Sequence, residues 1–158
     1  MKNQTYILIA LFLVSITSCT TTSVKEIDTA SIERDVKQMF QAYDDSVRKN
    51  GIEGEFFFLD NSDQFYWVPP GYKYALHYDS IAKILKKYAP NLKYVDNTWD
   101  TLYIMPLSDK YASFNGIINS YVITSNSDTS TIKLSETGLV IKRGKHWKFL
   151  SGQTIIIE

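Results

Sequence analysis

Between Asp28 and Asn50 the apolar residues fall at Ile32, Val36, Met39, Phe40, Tyr43 and Val47. Steps of three and four put all six on one stripe, which predicts an amphipathic helix. Asp28 or Ser31 stands where a cap is needed, and Asn50-Gly51 supplies a left-handed stop. Residues 55–60 are ambiguous, either one turn of helix or a short strand. After the turn Asn61-Ser62-Asp63, residues 64–68 read as a strand halted by Pro69-Pro70-Gly71. A second helix follows, capped by Asp79 or Ser80, with Ile81, Ile84, Leu85 and Tyr88 on one face and Lys83, Lys86 and Lys87 on the other. Pro90 ends it.

Beyond Pro90 the period changes from 3.6 to two. Residues 92–95, 99–105, 111–124, 129–134, 139–143 and 147–157 are rich in β-branched and aromatic side chains and predict strands. Turn chemistry at Asp96-Asn97, Ser108-Asp109, Ser125-Asn126-Ser127-Asp128 and Arg143-Gly144-Lys145 separates several of them. Strands with such short links pair antiparallel. Helices followed by a run of antiparallel strands predict an α+β domain with its helices on one sheet face.

The N-terminus carries an address. Lys2 precedes an apolar run at residues 6–14, which is too short for a membrane span of ~20 residues but suits the core of a secretory signal. The run ends in Ile16-Thr17-Ser18-Cys19, which resembles the bacterial lipobox. The resemblance implies a signal peptide over residues 1–18, cleavage before Cys19, and a lipidated Cys19 carrying the two or more chains that stable anchoring needs. The alternative is an ordinary signal peptide with an incidental cysteine. That this is the chain's only cysteine favours lipidation. Thr20 stands where an inner-membrane retention signal would place Asp, so the resemblance implies an outer-membrane lipoprotein of the bacterial envelope, on its periplasmic or its surface side. Residues 19–29 read as a polar tether and residues 30–158 as one domain.

Composition narrows the classes. Lys+Arg and Asp+Glu balance at 17 each, which argues against a nucleic-acid partner. One Cys excludes an intramolecular disulfide framework, and two His leave no histidine-rich metal site; neither metal nor cofactor is expected.

The segment Leu139-Val-Ile-Lys-Arg-Gly-Lys-His-Trp-Lys-Phe149 resembles the terminal hairpin of the nuclear-transport-factor-2-like superfamily, which includes SnoaL-like cyclases and ketosteroid isomerases. The resemblance implies a cystatin-like cone: a bent antiparallel sheet wrapped around N-terminal helices, with a pocket at its wide end. Two features depart from it. Many such domains carry His at alternate positions after the Trp, whereas steps of two from Trp147 give Phe149, Ser151, Gln153 and Ile155. Strict alternation turns Ser151 and Gln153 inward, where they can hydrogen-bond but not relay protons as His does. Isomerase-type members also need a general-base carboxylate, and none of Asp44, Asp60, Asp63 or Asp96 maps onto it.

Aromatic side chains with polar tips suit a small-molecule pocket, and Trp67, Tyr72, Trp99 and Tyr103 are the candidates for its wall, with Ser151 and Gln153 at its floor. Trp99 and Tyr103 share strand parity. Two functions follow. The first is an envelope-anchored, non-catalytic module that binds a small amphipathic molecule or a protein. The alternative is a SnoaL-like or ketosteroid isomerase-like enzyme acting on an apolar substrate. A carboxylate at the bottom of an apolar cavity would support the enzyme, and a pocket without ionisable groups would exclude it. Tyr121, Ile123 and Ile132 are candidates for an uncovered sheet face, which predicts a weak homodimer. Asp28-Thr29-Ala30 resembles the sites at which Bacteroidetes-type bacteria O-glycosylate exported proteins, which makes Thr29 the expected acceptor.

Overall fold

The computed structural model describes residues 27–157. The expected signal segment and Cys19 lie outside the described residues, as does the expected tether up to residue 26. Helix α1 (Thr29–Asn50) buries the six residues of the apolar stripe. Asp28 caps it, its carboxylate accepting from the Ser31 N–H at 2.9 Å, and Gly51 ends it at φ +68°. The ambiguous segment divides: Leu59 makes an isolated parallel bridge to Phe149, and residues 55–57 end a 3₁₀ helix (Gly51–Phe57) folded back along α1. Ser46 Oγ donates to the Gly54 carbonyl there at 3.1 Å. A Cβ on Gly54 would collide with the Ser46 backbone, so only glycine permits this approach.

A short strand β1 (Tyr66–Val68) leads through the proline turn to helix α2 (Tyr78–Tyr88). Its N-cap residue is His77, which makes no side-chain capping bond. The His77 carbonyl takes the Ser80 and Ile81 N–H groups instead. Neither Asp79 nor Ser80 is the cap: the helix starts two or three residues earlier than their chemistry suggests, once Leu76 is fixed against Trp67 by paired backbone bonds. A single 3₁₀ turn (Ala89–Asn91) then joins β2 (Leu92–Pro106), β3 (Tyr111–Thr124), β4 (Thr129–Arg143) and β5 (His146–Ile156).

The five strands form one sheet in the order β1-β5-β4-β3-β2, antiparallel except for the β1–β5 pair. Two breaks expected from the sequence are absent. Asp96-Asn97 lies inside β2, with Asp96 held by Arg48 at 2.8 Å and Asn97 buried. Residues 135–138 lie inside β4, whose pairing with strands on both sides overrides local turn preference.

Three register shifts shape the inner face: one lies near the start of β2, between Leu92 and Tyr94, and the other two are β-bulges further along. Of these bulges, one interrupts β2 between Trp99 and Thr101, and the other interrupts β5 between Phe149 and Ser151. Each bends the sheet and reverses which residues point inward beyond it. Gly116 and Gly152 make room on that face: a Cβ on either would strike the ring of Trp99 or Trp67 respectively. Phe40 of α1 sits edge-on to Trp99, Phe114 and Phe149 at centroid distances of 5.0, 5.0 and 5.3 Å, which joins the helix to the sheet through one aromatic cluster.

Candidate functional site

The helices do not fill the concave sheet completely. A cavity of about 260 Å³ remains between α1, the 3₁₀ helix, α2 and the inner face, close to the lower end of ligand pockets at ~300–1,000 Å³. Tyr43, Leu59, Phe65, Val95, Ile118 and Phe149 form its buried wall; half-buried Leu85, Leu92, Val122 and Leu134, with Pro69 and Pro70, form its outer part.

Two carboxyl groups stand in this apolar wall, Glu55 from the 3₁₀ helix and Glu136 from β4. Alternation positions Glu136. Leu134, Glu136, Gly138 and Val140 share one parity, and Gly138 and Val140 belong to the packed side. Its register partner on β5 is Thr154. The Thr154 hydroxyl accepts from Trp67 Nε1 at 2.9 Å and donates to Glu136 Oε1 at 2.8 Å. With the Trp67 N–H occupying a lone pair of the hydroxyl, the Thr154 proton is directed onto Glu136, which favours the ionised form.

Burial pushes Glu136 up to about 7, opposed by that hydrogen bond. Burial, with the charge of Glu136 added, pushes Glu55 up to about 8. Near neutral pH the pair therefore shares roughly one proton, with negative charge favoured on Glu136 and the proton on Glu55. Tyr43 is held protonated, mainly by burial and then by Glu55 and Glu136. Asn97 and Ser120, opposite each other on β2 and β3, complete the polar part of the wall. Behind it, Asp44 Oδ1 and Trp99 Nε1 are buried without hydrogen-bond partners. Burial raises Asp44 to about 7, with the nearby Trp99 N–H pulling against it. Among the described residues no group of three or more His, Cys, Asp and Glu is arranged to hold a metal ion.

Of the six residues expected to line the pocket, only Trp67 does so. Trp99 points inward but packs over Gly116 and against Phe40, outside the lining. Tyr103 is 69% exposed because the bulge after Trp99 turns it outward and sends Leu102 and Ile104 to the core. The bulge at Leu150 has the same effect on β5. Gly152 and Thr154 face the cavity side, leaving Ser151 buried on the opposite side of the strand and Gln153 exposed. Tyr72 is exposed beyond the proline turn, edge-on to Tyr74. Thr29 is exposed in the first turn of α1, and Ser80 is exposed as well.

Glu55 and Glu136 were both missed. For Glu136 a signal existed: read as one strand, β4 places it in the inward parity of Leu134 and Val140. The turn-like composition of residues 135–138 conceals it. Asp60 is engaged elsewhere. Arg143 grips it with two bonds of 3.0 and 2.8 Å, and these hold its carboxyl below the usual range.

No family model and no curated protein matches the sequence. Solved structures do match. A nuclear-transport-factor-2-like superfamily protein from Salmonella enterica aligns with a TM-score of 0.66 at 11% identity, over 79% of this chain and 90% of its own. A protein described as a scytalone dehydratase from Novosphingobium aromaticivorans reaches 0.71 at 12% identity, covering 82% and 86%. A type 2 hexachlorocyclohexane dehydrochlorinase reaches 0.65 at 11% identity, covering 82% and 87%. The fold is thus the nuclear-transport-factor-2-like cone, an α+β domain with two helices against a bent five-stranded sheet.

Proposed function

We propose that the chain is an envelope-anchored acid–base enzyme that moves a proton on a small, largely apolar substrate, by elimination or double-bond isomerisation. The observation that carries this reading is the pair of carboxyls, Glu55 and Glu136, in one apolar cavity with their ionisations displaced into the neutral range. Acid–base catalysis works best when a group's pKa lies near the operating pH, and two carboxyls that ionise at different pH supply an acid and a base together. In this reading the Glu136 carboxylate, oriented by Thr154 and Trp67, takes a proton from substrate carbon. The C–H pair becomes the new C=C bond. In an elimination Glu55 gives its proton to the departing group, and the pair resets by passing a proton from Glu136 to Glu55. In an isomerisation Glu55 protonates the carbonyl oxygen, and Glu136 then returns its proton to the far carbon of the dienol as the oxygen gives its own back to Glu55.

Two of the structural neighbours, the dehydratase and the dehydrochlorinase, bear names that denote loss of water and of hydrogen chloride, which fits an elimination. At 11–12% identity they support the reaction class by analogy only. The envelope location rests on the lipobox-like Ile16-Thr17-Ser18-Cys19 segment.

The base can be tested without the native substrate. A desolvated carboxylate opens 5-nitrobenzisoxazole by removing its ring C–H as the N–O bond breaks, with no acid required. The full chain, purified in detergent, should accelerate this opening with a rate that rises through pH 7, and Glu136→Gln should lose ~100-fold or more. A wild-type rate no faster than that of Glu136→Gln would reject the reading.

A further inference from the structure

We propose that the ligand of this cavity is an organic ammonium ion, one protonated amine on a compact aromatic or aliphatic body. This names the substrate class of the acid–base site and rests on that reading. The first reason is charge. Among the described residues that line the cavity, Glu55 and Glu136 are the acids, and none is Lys, Arg or His. No ion pair among the described residues engages either of them. An anionic ligand would add negative charge to an enclosure that already disfavours two. A neutral ligand would leave the carboxylate charge uncompensated. A cation neutralises it, and a desolvated carboxylate is worth most to a partner that is itself charged and hydrogen-bonded.

The second reason is independent of the acids. Asn97 is only 9% exposed, belongs to the same wall, and has an Oδ1 without a hydrogen-bond partner. The carbonyl oxygen of the Glu55 carboxyl and the second oxygen of Glu136 stand in the same wall as further acceptors. An ammonium group carries three N–H donors and no acceptor. The third reason is the remaining wall: Tyr43, Phe65, Trp67 and Phe149 supply aromatic rings, whose faces attract cations most strongly where water is excluded. The volume of about 260 Å³ keeps the body small.

Calorimetry on the full chain in detergent tests this with three probes of one shape: 2-phenylethylamine, 2-phenylethanol and phenylacetate. At pH 7.5 the amine should bind at least ~10-fold more tightly than the alcohol, and phenylacetate should give no binding. Ammonium binding favours the ionised form of Glu136 and completes its ionisation, so the amine should also release a fraction of a proton, seen as a difference in heat between Tris and phosphate buffers; the alcohol should show none. Glu55→Gln/Glu136→Gln should lose the preference for amine over alcohol while still binding the alcohol. The proposal is overturned by equal binding of amine and alcohol, by no amine binding up to millimolar concentration, or by an amine preference that survives in the double variant. The neutral benzisoxazole probe separates the two readings. Base activity without amine preference removes only the ammonium ligand, and amine preference without base activity removes only the catalysis.

Discussion

Replacing the two cavity acids by their neutral isosteres should make the protein more stable, but only above acidic pH. Glu55 and Glu136 ionise at about 8 and about 7 in the folded chain, against an ordinary 4.5. Both values are raised, so between pH 4.5 and the folded values the native state binds more protons than the unfolded chain, and stability falls as pH rises. The stabilisation is fully present below about pH 4.5 and has gone above about pH 8. At 1.36 kcal/mol per unit, the shifts correspond to about 5 kcal/mol for Glu55 and about 3 kcal/mol for Glu136. The two are not additive, because part of the Glu55 shift is the charge of Glu136, and water in the cavity softens both. A loss of ~3–5 kcal/mol between pH 5 and 8 is expected, a large share of a typical 5–15 kcal/mol. Urea unfolding at pH 5, 6, 7, 8 and 9 measures it directly. Glu55→Gln/Glu136→Gln should match wild type near pH 5 within ~1 kcal/mol and exceed it by ~3–5 kcal/mol at pH 8. Parallel profiles for the two proteins would refute the reasoning, because they would mean that neither acid titrates in a desolvated site.

Trp67→Phe removes the N–H that orients Thr154 while keeping most of the ring; stability should fall by ~1 kcal/mol and the Glu136 titration should move upward, which a carboxyl-resolved pH titration would register. Gly54→Ala forces the 3₁₀ helix off α1 and should cost ~1–3 kcal/mol in urea unfolding, with Glu55 returning toward an ordinary titration as it leaves the cavity. Cys19→Ser should release the chain from membrane fractions or stall its processing, and intact mass showing residues 1–18 retained in the mature wild type would contradict the anchor. Tyr121, 41% exposed on the uncovered sheet face, should support a weak homodimer, so light scattering at high micromolar concentration should give a mass above one chain for wild type and one chain for Tyr121→Asp.

What could be read from the sequence divides along a physical line. Helix α1 is legible in its stripe and its stop, with the cap narrowed to Asp28 or Ser31, because its stripe, Asp28 and Gly51 agree locally. The α+β order was legible for the same reason. The pocket wall was not, since it depends on parity counted along strands, and one extra residue reverses every position after it. The bulge at Asp100 separated Trp99 from Tyr103, and the bulge at Leu150 exchanged Ser151 and Gln153 for Gly152 and Thr154. A bulge is set by pairing with the neighbouring strand, which periodicity within one segment cannot reveal. Glu55 was hidden differently: it enters the cavity from a 3₁₀ helix that exists because Gly54 can approach Ser46, a tertiary contact without local signature.

The central claim is that two glutamates share a proton in an apolar cavity near neutral pH. Carbon-detected NMR of protein labelled at the glutamate carboxyl carbon follows each group through its titration. The account predicts two resonances with midpoints near pH 7 and 8, coupled to each other and both absent from Glu55→Gln/Glu136→Gln. A spectrum in which every glutamate titrates between about pH 4 and 5 would contradict it.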